Sequence, residues 1–223
     1  MRQGGFFKTV RFLNRLLHPG WQAEVPPPSG ARVYICRHKN MQGPLMTLTF
    51  LPFPVRTWVY YVFFDRKTCY RQYADYTFSK RYHMPMPVAR TLAWVVSGLV
   101  SALTRSTGAI AVHRGTVRIH ETFRESLDAL KAGDSLLVFP DVDYTSEDDA
   151  MGAMYEGFLL LGRSYGRATG KGLTFIPLHI DEHTRRIVQL TPVTYNPAAK
   201  PADEKARVRE ALHTQLAQTT TDN

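Results

Sequence analysis

The chain has 223 residues, enough for one α/β domain with a real core and too few for two comfortable ones. Apolar residues make up 44% and charged residues 21%, an ordinary globular balance, and the two cysteines, Cys36 and Cys69, exclude a cysteine metal motif by their spacing. The net charge of +9, from 28 Lys+Arg against 19 Asp+Glu, attracts polyanions, either nucleic acid or anionic lipid.

The opening "MRQGGFFKTVRFLNRLLHPGW" sets Phe6, Val10, Leu13 and Leu17 at helical spacing. Lys8, Arg11 and Arg15 fall on the other face, and no acid occurs before Glu24. Residues 1–24 therefore read as a basic amphipathic helix on a membrane surface, the alternative being a helix packed on its own domain. No signal peptide precedes the cysteines, so a reducing, cytosolic setting is expected, with Cys36 a buried strand residue. "VPPPSG" (residues 25–30) is a Pro-rich linker, and residues 31–223 form the body.

In the body, strand and helix signals alternate. Residues 32–36 predict a strand, and Gly43-Pro44 opens a short helix. "RTWVYYVFF" is a β-rich run ending before Asp65. "TLAWVVSGLVSALT" (residues 91–104) is uncharged between Arg90 and Arg105, but too short to span a bilayer. A buried or interfacial helix is expected there, so the protein would lie on a membrane and not cross it. "AIAV" is a short strand; Ile119, Phe123, Leu127 and Leu130 mark a helix face that Gly133 stops. "SLLVFP" is a buried strand, Met154, Phe158, Leu161 and Tyr165 mark another helix, and "LTFIPLHI" and "RIVQLTPV" are late strands. The tail "PADEKARVREALHTQLAQ" begins as a helix should, with proline and acids in its first turn. Such alternation implies a mostly parallel sheet covered by helices, with the site at the carboxyl ends of the strands.

Four fragments in order carry the chemistry: "CRHKNMQGP", "GAIAVHRG", "LLVFPDVDYTSEDDAMGAMYEGF" and "FIPLHI". Over residues 31–180 this order resembles the glycerolipid acyltransferase superfamily (lysophosphatidic acid acyltransferase-like). In that family a strand leads to a histidine, then four residues, then an aspartate. A second block ends in an arginine that helps bind the acceptor's phosphate. A third reads F-P-E-G-T-R-S and leads to a glycine-containing helix, and a fourth is an apolar strand carrying a proline. The resemblance makes His38 the histidine, Arg114 the second-block arginine, Phe139-Pro140 the F-P pair, Gly157 the helix glycine and Pro177 the strand proline. The chain departs from the pattern twice. Gly43 stands where the family has aspartate, and the third block continues Asp141-Val142-Asp143-Tyr144-Thr145, with a shortened acid and Tyr144 in place of arginine.

The resemblance implies an α/β glycerolipid acyltransferase-like fold. It implies transfer of an acyl chain from a thioester donor, acyl-CoA or acyl carrier protein, to a lysophospholipid-like or other lipid acceptor. The setting would be peripheral, on an anionic membrane surface at its cytoplasmic face, with no bound cofactor and no metal. Such a reaction needs a base for the acceptor hydroxyl, which a neutral histidine supplies for a gain of about 10²–10⁴. A carboxylate on the other ring nitrogen fixes the tautomer; in the serine-protease template its replacement costs about 10⁴ in turnover. With Gly43 unable to supply it, Asp141 is the first candidate, Asp143 the second and Asp65 a weaker third. Lys39, Asn40, Arg114, Phe139, Pro140, Tyr144 and Thr145 are expected to line the substrate site, and backbone N–H groups after Gly43 to hold the oxyanion.

Each residue also has a plainer reading. His38 alone would be a structural strand-end histidine, Asp141 and Asp143 helix caps, Arg114 a surface charge, and Lys39 and Asn40 turn residues. The seven other histidines show no metal-ligand constellation, and "YGRATGKG" follows a helix where a phosphate loop would follow a strand. Two further functions compete with the enzyme. One is a catalytically silent relative that binds lipid or acyl chains, as Gly43 and Tyr144 suggest. The other is a nucleic-acid binder, suggested by charge alone; no recognisable module interleaves basic residues with exposed aromatics, so nucleic acid is not an expected partner. The sequence does not fix an oligomeric state.

Overall fold

The computed structural model describes residues 3–146 and 151–218. Strands run in chain order as β1 (Gln22–Glu24), β2 (Arg32–Cys36), β3 (Arg56–Tyr60), β4 (Ile110–Val112), β5 (Leu136–Val138), β6 (Leu173–Asp181), β7 (Arg186–Gln189) and β8 (Val193–Tyr195). Helices are α1 (Gly5–Leu17), α2 (Gln42–Phe50), α3 (Arg66–Arg71), α4 (Met86–Ser106), α5 (Ile119–Lys131), α6 (Leu160–Thr169) and α7 (Pro201–Gln218). The chain divides into two units, Met1–Val10 with Thr57–Thr122, and Arg11–Arg56 with Phe123–Asn223.

In the larger unit β2 is the central strand, parallel to β5 on one side and to β6 on the other. Its "VYIC" run is buried throughout, as a strand covered on both faces requires. β6 also pairs antiparallel with β7 and β8, and β1 runs parallel to β7. The ladders are thus mostly parallel, as the alternating pattern implied. Tyr34, Cys36, Leu51, Leu137, Leu178 and Ile187 form the heart of the core. Burial raises the pKa of the Cys36 thiol, which makes it a packing residue and not a nucleophile. α7 buries Val208, Leu212 and Leu216, spaced four residues apart. Glu204 ties it to the sheet: its carboxylate accepts the Asn196 N–H at 2.6 Å and both Nε and Nη2 of Arg207, and Arg207 also donates to the Thr194 carbonyl.

Several predicted boundaries move. Residues 22–24, read as part of the anchor, form β1. The helix expected around Met154 starts later, as a 3₁₀ turn at Gly157–Leu159 running into α6, because Met154 bridges Asp141. Two of the cations on α1 turn inward. Arg11 Nε donates to the Thr49 carbonyl at 2.8 Å, Arg15 Nε to the same oxygen at 3.1 Å, and Asn14 to the Thr49 hydroxyl at 2.7 Å. The Thr49 carbonyl lies at the C-terminal end of α2, where a cation answers the helix dipole. Phe12, Leu13, Leu16 and Leu17 are left facing outward, Leu17 with 76% of its surface exposed.

The smaller unit holds the parallel pair β3 and β4, with Trp58 opposite Ile110. β3 is shorter than the β-rich run, because Tyr61–Phe63 coil into a 3₁₀ turn. Asp65 then caps α3, its side chain accepting the Lys67 and Thr68 N–H groups at 3.0 Å. α3 passes into a π-helix, Gln72–Arg81, which the sequence did not announce. The wider turn brings Tyr73 and Phe78, five residues apart, into a stacked pair at 5.5 Å. α4 runs from Met86 to Ser106, well beyond the uncharged stretch that predicted it, and buries Ala89, Ala93, Ser97, Ser101 and Thr104.

Candidate active site

Strand register assembles the centre. Ile35 lies opposite Val138 in the parallel β2–β5 ladder, so three residues on from that pair His38 comes level with Asp141. The Asp141 carboxylate, 7% exposed, accepts the His38 backbone N–H at 2.7 Å, and its other oxygen lies 3.5 Å from Arg37 Nε. The expected partnership thus takes a different form. Asp141 fixes the main chain at His38 and not the imidazole. Arg37, which sequence reasoning passed over, is the cation that accompanies the buried carboxylate; nothing in a strand-end arginine signals this beforehand.

The imidazole stands edge-on between two aromatic rings, Phe139 at 5.7 Å and Tyr144 at 5.6 Å. Its Nδ1 accepts the Met41 N–H at 3.3 Å. That contact depends on an uncommon backbone: Lys39, Asn40 and Met41 have φ of 40°, 46° and 77° in succession, none of them glycine. Three left-handed residues fold the chain back on the histidine and start α2 at Gln42. Gly43 is buried in this turn, its N–H donating to the His38 carbonyl at 3.0 Å. A Cβ at Gly43 would sit 1.8 Å from the Arg37 carbonyl oxygen and 2.9 Å from its carbon. Position 43 therefore has no room for a side chain, an aspartate included.

The expected oxyanion site does not form at the opening of α2. The Met41 N–H goes to His38 Nδ1, the Gln42 N–H to the Lys39 carbonyl, the Gly43 N–H to the His38 carbonyl, and Pro44 has none. Lys39 pairs with Glu182 at 2.7 Å, a second partner the sequence did not indicate. The Asn40 N–H donates to the Tyr144 carbonyl at 3.1 Å, tying the loop after β2 to the loop after β5. Asp143 caps its own turn, one oxygen accepting both the N–H and the hydroxyl of Thr145. Pro140 is buried, and its carbonyl accepts the Tyr155 N–H at 2.8 Å. A cleft of about 370 Å³ is lined by Arg37, Asp141, Asp143, Ser146, Met151, Gly152 and Ala153. Residues 147–150, quoted within the third fragment, lie outside the described residues.

Arg114 belongs to the smaller unit, exposed just past β4 and before the left-handed Gly115. Beside it His113 is buried, stacked on Tyr61 at 5.0 Å with Nε2 4.0 Å from Glu121. Glu121 is held by Arg118 through paired contacts of 2.9 and 2.8 Å, and this hydrogen bonding keeps its pKa below the ordinary range. Burial raises the Tyr60 phenol while the Arg114 charge pulls the other way, so the guanidinium sits near that ring. Asp65, the third candidate to orient His38, is instead a helix cap: the Thr68 N–H above all holds its pKa below the ordinary range. Among the described residues no group of three His, Cys, Asp or Glu could hold a metal ion.

No protein-family model matches this sequence. No curated protein matches it either. Among solved structures it is similar to the crystal structure of the 1-acyl-sn-glycerophosphate (LPA) acyltransferase PlsC from Thermotoga maritima. The TM-score is 0.58 at 13% identity, over 97% of this chain and 80% of that one.

Proposed function

On the premise of a glycerolipid acyltransferase fold, we propose that this chain is an acyltransferase working peripherally on the cytoplasmic face of a membrane. It moves an acyl chain from a thioester donor, acyl-CoA or acyl carrier protein, to a hydroxyl-bearing lipid acceptor. The observation that carries the reading is the register-matched pair of His38 and Asp141 at the carboxyl ends of β2 and β5. The acceptor oxygen attacks the thioester carbonyl carbon as its proton passes to the His38 imidazole. The C–S bond then breaks and the departing thiolate takes that proton back. Asp141 acts as a positioning residue, holding the main chain from which the imidazole projects. The Phe139 and Tyr144 rings keep water from two sides of the imidazole, and Arg114 binds an anionic group of one substrate through paired hydrogen bonds. The outward apolar face of α1 supports the lipid setting, and the free thiols Cys36 and Cys69 support a reducing one.

The test is labelled acyl-CoA, and separately acylated carrier protein, incubated with a lysophospholipid. Labelled product with the wild type and none with His38→Ala is expected, and Arg114→Lys should raise KM. Product formed equally well by His38→Ala would exclude this mechanism.

One observation favours a second reading. Because Nδ1 accepts the Met41 N–H, the neutral imidazole carries its proton on Nε2, where a base would need a lone pair. On that reading the chain binds acyl lipids without turnover. Acyl-CoA retained by both the wild type and His38→Ala, with no product from either donor, selects it.

A further inference from the structure

We propose that the outward face of α4 rests on an anionic lipid surface, making this helix a lipid-contacting element separate from α1. On its inner side α4 packs against α3 and the π-helix through Ala89, Ala93, Ser97 and Ser101. These are small side chains, so the packed face is narrow and close. On the opposite side Val88, Leu92, Val95 and Leu99 recur at i, i+4, i+7 and i+11, and all are exposed. A one-sided apolar stripe over a packed inner face is the build of a helix lying in the interface plane. By length and composition alone α4 could cross a membrane, but its inner face is small and hydroxyl-bearing and is occupied by protein.

The flank of α4 between the stripe and the packed side fits the headgroup level. Trp94, 63% exposed, has the Arg66 guanidinium over its ring at 5.0 Å, and exposed Tyr82 has Arg81 at 5.3 Å. Indole and phenol rings paired with cations suit the boundary between apolar and wet layers. Charge then selects the occupant. Residues 76–120 contain Lys80, Arg81, Arg90, Arg105, Arg114 and Arg118 and no Asp or Glu. A second copy laid on this face would meet the same positive field; an anionic bilayer meets the opposite one.

The inference rests on the lipid-surface part of the reading above and not on acyl transfer. The experiment uses the full chain with phosphatidylcholine–phosphatidylglycerol vesicles. Tryptophan emission should shift to the blue, Trp94→Phe should remove that shift, and shallowly brominated lipids should quench more than deep ones. Leu92→Glu with Leu99→Glu should weaken partitioning about tenfold or more, with an unchanged thermal midpoint, since both sites are exposed. Vesicle binding that is undiminished by the double substitution, without a Trp94 shift, overturns the proposal and leaves α1 as the contact. Quenching mainly by deep bromines overturns it in favour of a span. Lipid-free dimerisation abolished by the same substitutions overturns it in favour of a second copy. Failure to form acyl product, with the Trp94 response intact, counts against catalysis alone.

Discussion

Replacing Gly43 by alanine drives a methyl group into the Arg37 carbonyl, and because that obstacle is main chain no rotamer relieves it. Gly43→Ala should cost about 1–3 kcal/mol, measured as a shift in the urea midpoint. Gly43→Asp should cost at least as much and bring no gain in acyl transfer; a stable Gly43→Asp variant with faster transfer than wild type would refute the steric account. Asp141 makes a second case. It is buried, accepts the His38 N–H and lies beside Arg37, so Asp141→Asn should destabilise the fold by about 1–2 kcal/mol. The exposed Asp143→Asn should stay within about 0.5 kcal/mol. That ordering sets Asp141 apart from a residue serving chemistry alone, whose loss would leave stability nearly untouched.

Two elements owe their placement to charged side chains turned inward. Glu204 joins α7 to the strand before it, and hydrogen bonds from Arg207 above all lower its pKa from the ordinary 4.5. A depressed carboxylate contributes stability above its unfolded pKa and loses it as the pH falls through the folded value. Wild type should therefore exceed Glu204→Gln by about 1–2 kcal/mol at neutral pH, and the gap should close below about pH 4. Urea unfolding of both chains across that range checks it; a gap that widens in acid would reverse the sign. In α1, Arg11, Asn14 and Arg15 anchor the helix to the end of α2, so deleting residues 1–19 strips partners from the Thr49 and Leu51 carbonyls. The deletion should lower the thermal midpoint, whereas Leu16→Gln with Leu17→Gln should leave it unchanged and weaken vesicle binding. Helical spacing announced α1 correctly, but a periodic pattern states that two faces differ and not which one turns inward.

Across the whole molecule, what could be read beforehand is what depends on pattern. Buried runs such as "VYIC" gave the central strand, and parallel register then set His38 level with Asp141. What stayed hidden depends on local backbone choices that residue types do not encode. Non-glycine residues at positive φ through Lys39, Asn40 and Met41 decide that Asp141 meets a backbone N–H, and that the helix opening has no donors to spare. The π-helix was equally silent, since its aromatic spacing matches no common period. The net charge of +9 belongs to this scale too. At about 1 M salt, where the Debye length is about 3 Å, retention on anionic vesicles should fall sharply but not vanish, because apolar contact survives screening. Complete loss would mean that charge alone holds the protein there.

The crowding at Gly43 also bears on redesign. An aspartate cannot be installed at position 43 without displacing main chain, because its side chain meets the Arg37 carbonyl while the turn through Met41 stays as it is. A carboxylate in this turn requires coordinated change at several neighbouring positions. The turn acts as a latch, and redesign of this loop starts from a histidine with Met41, Phe139 and Tyr144 around it.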